Sequence, residues 1–202
     1  MNPEVLPLFP LQSVLFPGGL LSLKVFEARY LDLVSECLRE QRPFGVVCLR
    51  QGAEVKQEGD VPRFETVGVL AELNEVDSEQ PGILRVRCTG GQRFRLADPR
   101  QEANGLWQAS VERIVEDPKL VPTPALLPTV QALANAIGTL KQQGSQPFLE
   151  PYRLDDAGWV ANRWCELLPI SLAAKQKLME LDEPLVRLQL VDEFLRGKGV
   201  VA

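Results

Sequence analysis

Not one histidine occurs in the 202 residues, which removes the commonest zinc ligand and the commonest neutral-pH general base. The four cysteines, Cys37, Cys48, Cys88 and Cys165, are too far apart in sequence to form a CxxC pair or a knuckle. Each has apolar neighbours, so they read as small buried thiols in a reducing compartment rather than as disulfides or metal ligands. The phosphate cradles GxxxxGKS/T and GxGxxG are both missing, and with them any support for nucleotide binding. Basic excess is missing too: 27 acidic side chains stand against 22 basic ones, a formal net charge of -5, which offers nucleic acid no broad attraction. There is no run of about 18 apolar residues and no basic stretch leading into a signal-type apolar run, so neither a membrane span nor a secretory leader is expected and the cytoplasm is the default. No catalytic residue, cofactor or metal is expected from what remains.

What is present is core-forming material, since 45% of the residues are hydrophobic, enough at this length for one large or two small folded units. Val5 to Phe9 reads as a strand closed by Pro10, with Ser13 to Phe16 continuing beyond a bend. Pro17, Gly18 and Gly19 then supply one fixed angle and two permissive positions, the makings of a tight, closely approached turn. Phe26, Tyr30, Leu33, Val34 and Cys37 fall three and four apart and predict an amphipathic helix over 26–38 that stops before Pro43. Phe44 to Leu49 reads as a buried strand, 51–63 as an exposed polar loop, and Thr66 to Leu73 as a further strand.

The clearest period of two runs through Leu84, Val86 and Cys88, interleaved with Arg85 and Arg87, and resumes with Phe94 and Leu96 interleaved with Arg93 and Arg95. Gly90 and Gly91 between them predict a bulge or sharp bend. Trp107 to Val115 adds another strand. The prolines at 118, 122, 124 and 128 then mark a boundary between a β-rich unit, 1–117, and a helical unit, 118–202. In the latter, Leu126, Val130, Leu133, Ile137 and Leu140 predict one helix, either capped by Thr123 with Pro124 in its first turn or, preferred because a proline further in would remove an internal hydrogen bond, opened by Pro128. Asp155 or Asp156 caps a second, Ser171 a third, and Pro184 starts the last, with Asp192 and Glu193 on its wet side.

Four groups of side chains invite a functional reading. Ser171 and Lys175, four apart on a helix, have the spacing of a nucleophile and its base, but lack visible oxyanion donors and read as a cap and a surface lysine. Glu27 with Asp32, Asp155 with Asp156, and Asp182 with Glu183 read as helix surfaces and caps. Arg85, Arg87, Arg93 and Arg95 are candidate anion contacts, either a solvated sheet face or a site for an acidic peptide or RNA. Pro10, Leu11, Phe16, Pro17, Leu20 and Leu21 form a dense apolar region, read as core or as a peptide-contact surface.

The opening LPLFPLQSVLFPGGLLSLKVFEARYLDLV and the PFGVV at 43–47 resemble the N-terminal substrate-recognition domain of the ATP-dependent Lon protease family. VGVLAEL at 67–73, RVRCTGGQRFRL at 85–96 and ANRWCELLPISLAAKQKLMELDEPLVRLQLV at 161–191 extend that resemblance in the family order. It implies an α+β fold, with a PUA-like β-barrel or curled sheet crossed by the 26–38 helix and followed by a helical bundle-like subdomain. It also implies recognition of unfolded or extended client polypeptides alongside a protease or chaperone system. Lon proteins continue into an ATPase module and a Ser-Lys peptidase, whereas this sequence ends at Ala202. A stand-alone, non-catalytic adaptor is therefore expected, and Ser171 inherits no peptidase role. The alternatives carried from the residues are RNA binding on the PUA-like scaffold and a small-molecule hydrolase with a site between the two units.

Overall fold

A computed structural model describes residues 4–51 and 62–201, so most of the polar loop expected at 51–63 lies outside the described residues. The chain divides into two compact units, Met1–Val115 and Glu116–Ala202. The first contains strands β1 (Glu4–Leu11), β2 (Leu20–Val25), β3 (Phe44–Gln51), β4 (Arg63–Phe64), β5 (Val67–Gln80), β6 (Ile83–Gln101) and β7 (Trp107–Arg113), with helix α1 (Ala28–Glu40) between β2 and β3. The strands lie in the order β1-β7-β6-β5-β3-β4, with β2 added to β6. A parallel ladder from Leu8–Leu11 of β1 to Gly45–Cys48 of β3 returns the sheet to its start. Strands β1, β7, β6, β5 and β3 thus form a closed circuit of pairings.

Inside that circuit lie Leu6, Leu8, Val47, Leu70, Phe94, Leu96, Ala109 and Val111. Phe94 fits because two neighbouring positions have no side chain. A Cβ at Gly45 would stand 2.7 Å from the Phe94 ring, and one at Gly68 would stand 2.6 Å from it and 2.5 Å from the Val46 carbonyl oxygen. The outer side of β1 is covered as well, where Phe9 stacks on Tyr30 of α1 with ring centroids 3.9 Å apart.

Contrary to the expected stop at Pro10, β1 runs through both of its prolines. It pairs with β7 over Glu4–Leu8 and with β3 only from Leu8 onward. Among the described residues Pro7 and Pro10 therefore each have a ladder on one side alone, and the missing N–H can face the other side. Helix α1 buries Tyr30, Leu33, Val34 and Cys37 as the spacing predicts, but begins two residues later than expected. Glu27 has extended angles (φ -77°, ψ 135°) and its carboxylate is held 2.9 Å from Arg29. Phe26 consequently continues the line of β2 and is 53% exposed instead of sitting on the buried helix face.

The second unit contains a 3₁₀ turn at Pro124–Leu126 and helices α2 (Leu127–Gln142), α3 (Ala157–Leu167), α4 (Leu172–Glu180) and α5 (Pro184–Gly197). Its ends are capped largely as the sequence suggests. Asp156 accepts from the backbone N–H groups of Gly158 and Trp159, Ser171 from that of Ala174, and Pro184 stands at the start of α5. Two features depart from the expected pattern. Arg163 and Arg187 are fully buried, and Asp192, expected on the wet side, is buried and accepts hydrogen bonds from Thr129 and Arg196.

Candidate functional site

The glycine-rich bend before β2 has the geometry its composition dictates. Phe16 to Gly19 form a type II turn, with Pro17 second, Gly18 third at φ 72°, and the Gly19 N–H donating to the Phe16 carbonyl at 2.9 Å. Gly90 of β6 is clamped against this turn. Its carbonyl accepts from Gly18 at 2.6 Å, its N–H donates to the Gly19 carbonyl at 2.8 Å, and a Cβ there would stand 2.2 Å from the Phe16 carbonyl oxygen. The turn thus fixes where β2 begins, and β2 then pairs with β6 from Leu20 opposite Thr89 to Val25 opposite Leu84.

Of the six apolar residues singled out in sequence, Pro10, Leu11 and Phe16 are buried, Phe16 with 0% exposed. The side chains of Pro10 and Phe16 are engaged by the interior, while Leu11 keeps a small exposed part at the wall of a cleft. Pro17, Leu20 and Leu21 are half-buried and lie at the turn and on the first two residues of β2. Among the described residues β2 has a ladder with β6 alone, so its other edge carries no second ladder. Beside it is a cleft of about 230 Å³ lined by Phe9, Leu11, Leu23, Phe26 and Tyr30 together with Lys24 and Glu27. Sequence reasoning assigned Phe26 to a helix face and so missed it as the exposed wall of this cleft. The signal available was the charge pair Glu27 and Arg29, which favours an extended residue just before the helix.

The four arginines do not form one face. Along β5 and β6, Val69 pairs with Arg93 and Ala71 with Gly90, so three steps on β6 match two on β5; the bulge predicted from Gly90 and Gly91 is there, inside one continuous strand. Past it Arg93 is 3% exposed, a correction to its expected place on the wet side, because the face that carries it is covered at that point. Arg87 donates to Glu75 at 3.0 Å. Arg85 lies in register with Asp77 of β5 and Lys24 of β2, and Arg95 with Glu112 of β7. Carboxylates of neighbouring strands thus accompany these arginines, and nothing in their arrangement favours RNA.

The residues with hydrolytic spacing are occupied by structural bonds. Ser171 is a helix cap, and the Lys175 ammonium donates to the Glu166 carbonyl at 3.0 Å. Asp155 is paired with Lys119, whose hydrogen bond holds its carboxyl below the usual range, while Asp156 caps α3. Burial pushes the thiols of Cys37 and Cys48 up to about 11 and those of Cys88 and Cys165 up to about 12, so none is a thiolate at neutral pH. The Glu166 carboxyl is raised by burial to about 7, against the pull of Arg163 and Lys175, and bonds Arg163 at 2.9 Å. Among the described residues no group of three His, Cys, Asp or Glu could hold a metal ion, and no helix is long and apolar enough to cross a membrane.

Comparison with known proteins gives these observations a context. Residues 5–197 match the family model described as the ATP-dependent protease La (LON) substrate-binding domain. Among curated proteins, the chain is 29% identical over 201 residues to the Lon protease of Anaeromyxobacter dehalogenans, covering 97% of this chain and 23% of that protein. It spans about a quarter of the length of the Lon proteases it matches. Among solved structures, it superposes on the crystal structure of the Lon N-terminal domain protein from Xanthomonas campestris with a TM-score of 0.74 and 33% identity, over 93% of this chain and 96% of that one. The N-terminal domain of the Mycobacterium avium complex Lon protease gives a TM-score of 0.62 at 14% identity, over 94% and 97% of the two chains, a likeness of fold alone.

Proposed function

The chain belongs to the family of the Lon substrate-binding domain, a binding domain and not a catalytic one, and from that premise we propose that it takes up unfolded or extended polypeptide along the open edge of β2. The observation that carries this reading is the edge itself: six residues of strand with one partner among the described residues, beside a cleft of mixed polarity walled by Phe26. Strand addition would give affinity through main-chain hydrogen bonds, which any client sequence can supply. The cleft and the half-buried Pro17, Leu20 and Leu21 would add a preference for apolar side chains at alternate positions. The closed strand circuit of the first unit is read as the PUA-like barrel that holds this edge rigid. The protein would then act as an adaptor that presents clients to a protease or chaperone system. A reducing, cytoplasmic setting suits its four free, buried cysteines.

Amide hydrogen exchange with and without a saturating unfolded peptide tests the assignment. Slowed exchange confined to β2 and the turn before it is the expected result. Protection elsewhere with none on β2 rejects the edge.

A further inference from the structure

A second apolar opening of the first unit is used by none of the above. It has a volume of about 510 Å³, within the range of about 300–1,000 Å³ typical of small-ligand sites. Phe64 and Trp107 meet edge to face on its floor, with ring centroids 5.4 Å apart; Leu96, Pro62 and Pro99 complete its apolar part, and Arg50, Arg63 and Asp98 supply its charge. We propose that this pocket binds the carboxy-terminal residue of a polypeptide ending in an apolar side chain, the side chain on the rings and the terminal carboxylate on Arg63 and Arg50.

Three observations carry the assignment. First, Phe64 and Trp107 are only partly covered by the core they pack against, leaving aromatic surface for one further apolar group. Secondly, the lining holds two guanidinium groups and the Asp98 carboxylate, with Glu65 beside Arg50, a balance suited to one carboxylate rather than to a polyanion. Arg50 leans toward Glu65 at 3.4 Å, while Arg63 is exposed and has no ion pair with any described residue, so Arg63 is the principal anchor. A guanidinium presents paired donors to a carboxylate. Thirdly, Arg63 and Phe64 form β4, which pairs with β3 alone among the described residues, and both line the pocket; a chain laid along β4 would bring the residues preceding its terminus there, which favours a peptide over a free carboxylic acid. The inference rests on the polypeptide-binding reading but is independent of the β2 edge.

The test compares two fluorescent dodecapeptides of one sequence ending in Phe, one with a free carboxylate and one with a carboxamide, by anisotropy titration against the full chain. The free acid is expected to bind about tenfold more tightly, the size of one charge-assisted contact. The protein's net charge of -5 acts in the opposite sense, so a preference for the acid must be local. Arg63→Gln should remove most of the difference and Arg50→Gln part of it, with circular dichroism unchanged because both side chains are exposed. N-acetylphenylalanine should fail to displace the peptide at equal concentration. Equal binding of acid and amide, a preference that survives in Arg63→Gln, or full displacement by N-acetylphenylalanine would each overturn the proposal. If acid and amide bind equally, only the terminal-carboxylate site falls; if neither binds at all, the polypeptide-binding reading falls with it.

Discussion

In Met1–Val115 the core is apolar but for the buried Arg93 and its tight places are met by glycine, whereas in Glu116–Ala202 two fully buried arginines stand among the helices. Arg187 donates to the Asp117 carboxylate at 2.7 Å, to the Asn162 side-chain oxygen at 2.9 Å, and to the carbonyls of Leu178 and Leu181. One side chain thus ties the start of the unit and the α4–α5 connection to α3. Arg163 lies over the rings of Phe148 and Trp159, at 5.5 and 5.7 Å, and bonds Glu166. The lesson is where polar bonding capacity is used. The helical unit spends much of its own internally, while the strand-rich unit has in β2 a strand with one ladder among the described residues and, at its surface, the cleft beside β2 and the more apolar pocket at Phe64 and Trp107, which is why binding is assigned to it.

Four substitutions sharpen this contrast, the largest first. Arg187→Ala removes the donor shared by the half-buried Asp117 carboxylate, the Asn162 amide oxygen and two carbonyls and is expected to cost about 3–5 kcal/mol, seen as a lower urea midpoint in the helical unit with the β-sheet signal retained. Gly90→Ala drives a methyl into the Phe16 carbonyl and is expected to cost about 1–3 kcal/mol, this time in the strand-rich unit, with loss of the turn that starts β2. Glu166→Gln acts through pH. Because the folded carboxyl titrates near 7 and the ordinary value is 4.5, the wild type holds the extra proton when folded; that stabilisation is complete below about 4.5 and is lost as pH rises through about 7. The thermal midpoint of the wild type should therefore fall over that interval, and that of the glutamine variant should fall less. The smallest effect is expected from Glu4→Gln, which breaks the exposed pair with Arg113 at 2.7 Å. It should cost under about 1 kcal/mol in chemical denaturation, an effect erased by salt.

The same contrast explains what could be read from the residues. The turn at Phe16–Gly19, the buried face of α1, the bulge after Gly90 and the caps at Asp156 and Ser171 are local events, set by proline, glycine, periodicity and short polar side chains. The path of β1 through Pro7 and Pro10 was not legible, because a proline is tolerated there only through the change of partner strand at Leu8. Nor was the burial of Arg93, Asp192, Arg163 and Arg187, since the groups that cover or bond a buried charge come from far along the chain. Of the candidate contact surface, Leu20 and Leu21 were legible as apolar, but not their half-buried placement at the start of β2. The burial of Phe16 and the exposure of Phe26 depended on how β2 leaves the turn and enters the helix.

The central claim is that β2 receives a client strand through its open edge. It is tested most directly by titrating a labelled extended peptide, and the same peptide N-methylated at alternate residues, against the wild type and Phe26→Asp. N-methylation removes main-chain donors without altering side chains, and Phe26 is exposed enough for its replacement to leave the fold intact. Both changes should weaken binding at least about tenfold. Unchanged affinity for the methylated peptide, together with unchanged affinity of the Phe26→Asp protein, would contradict the account.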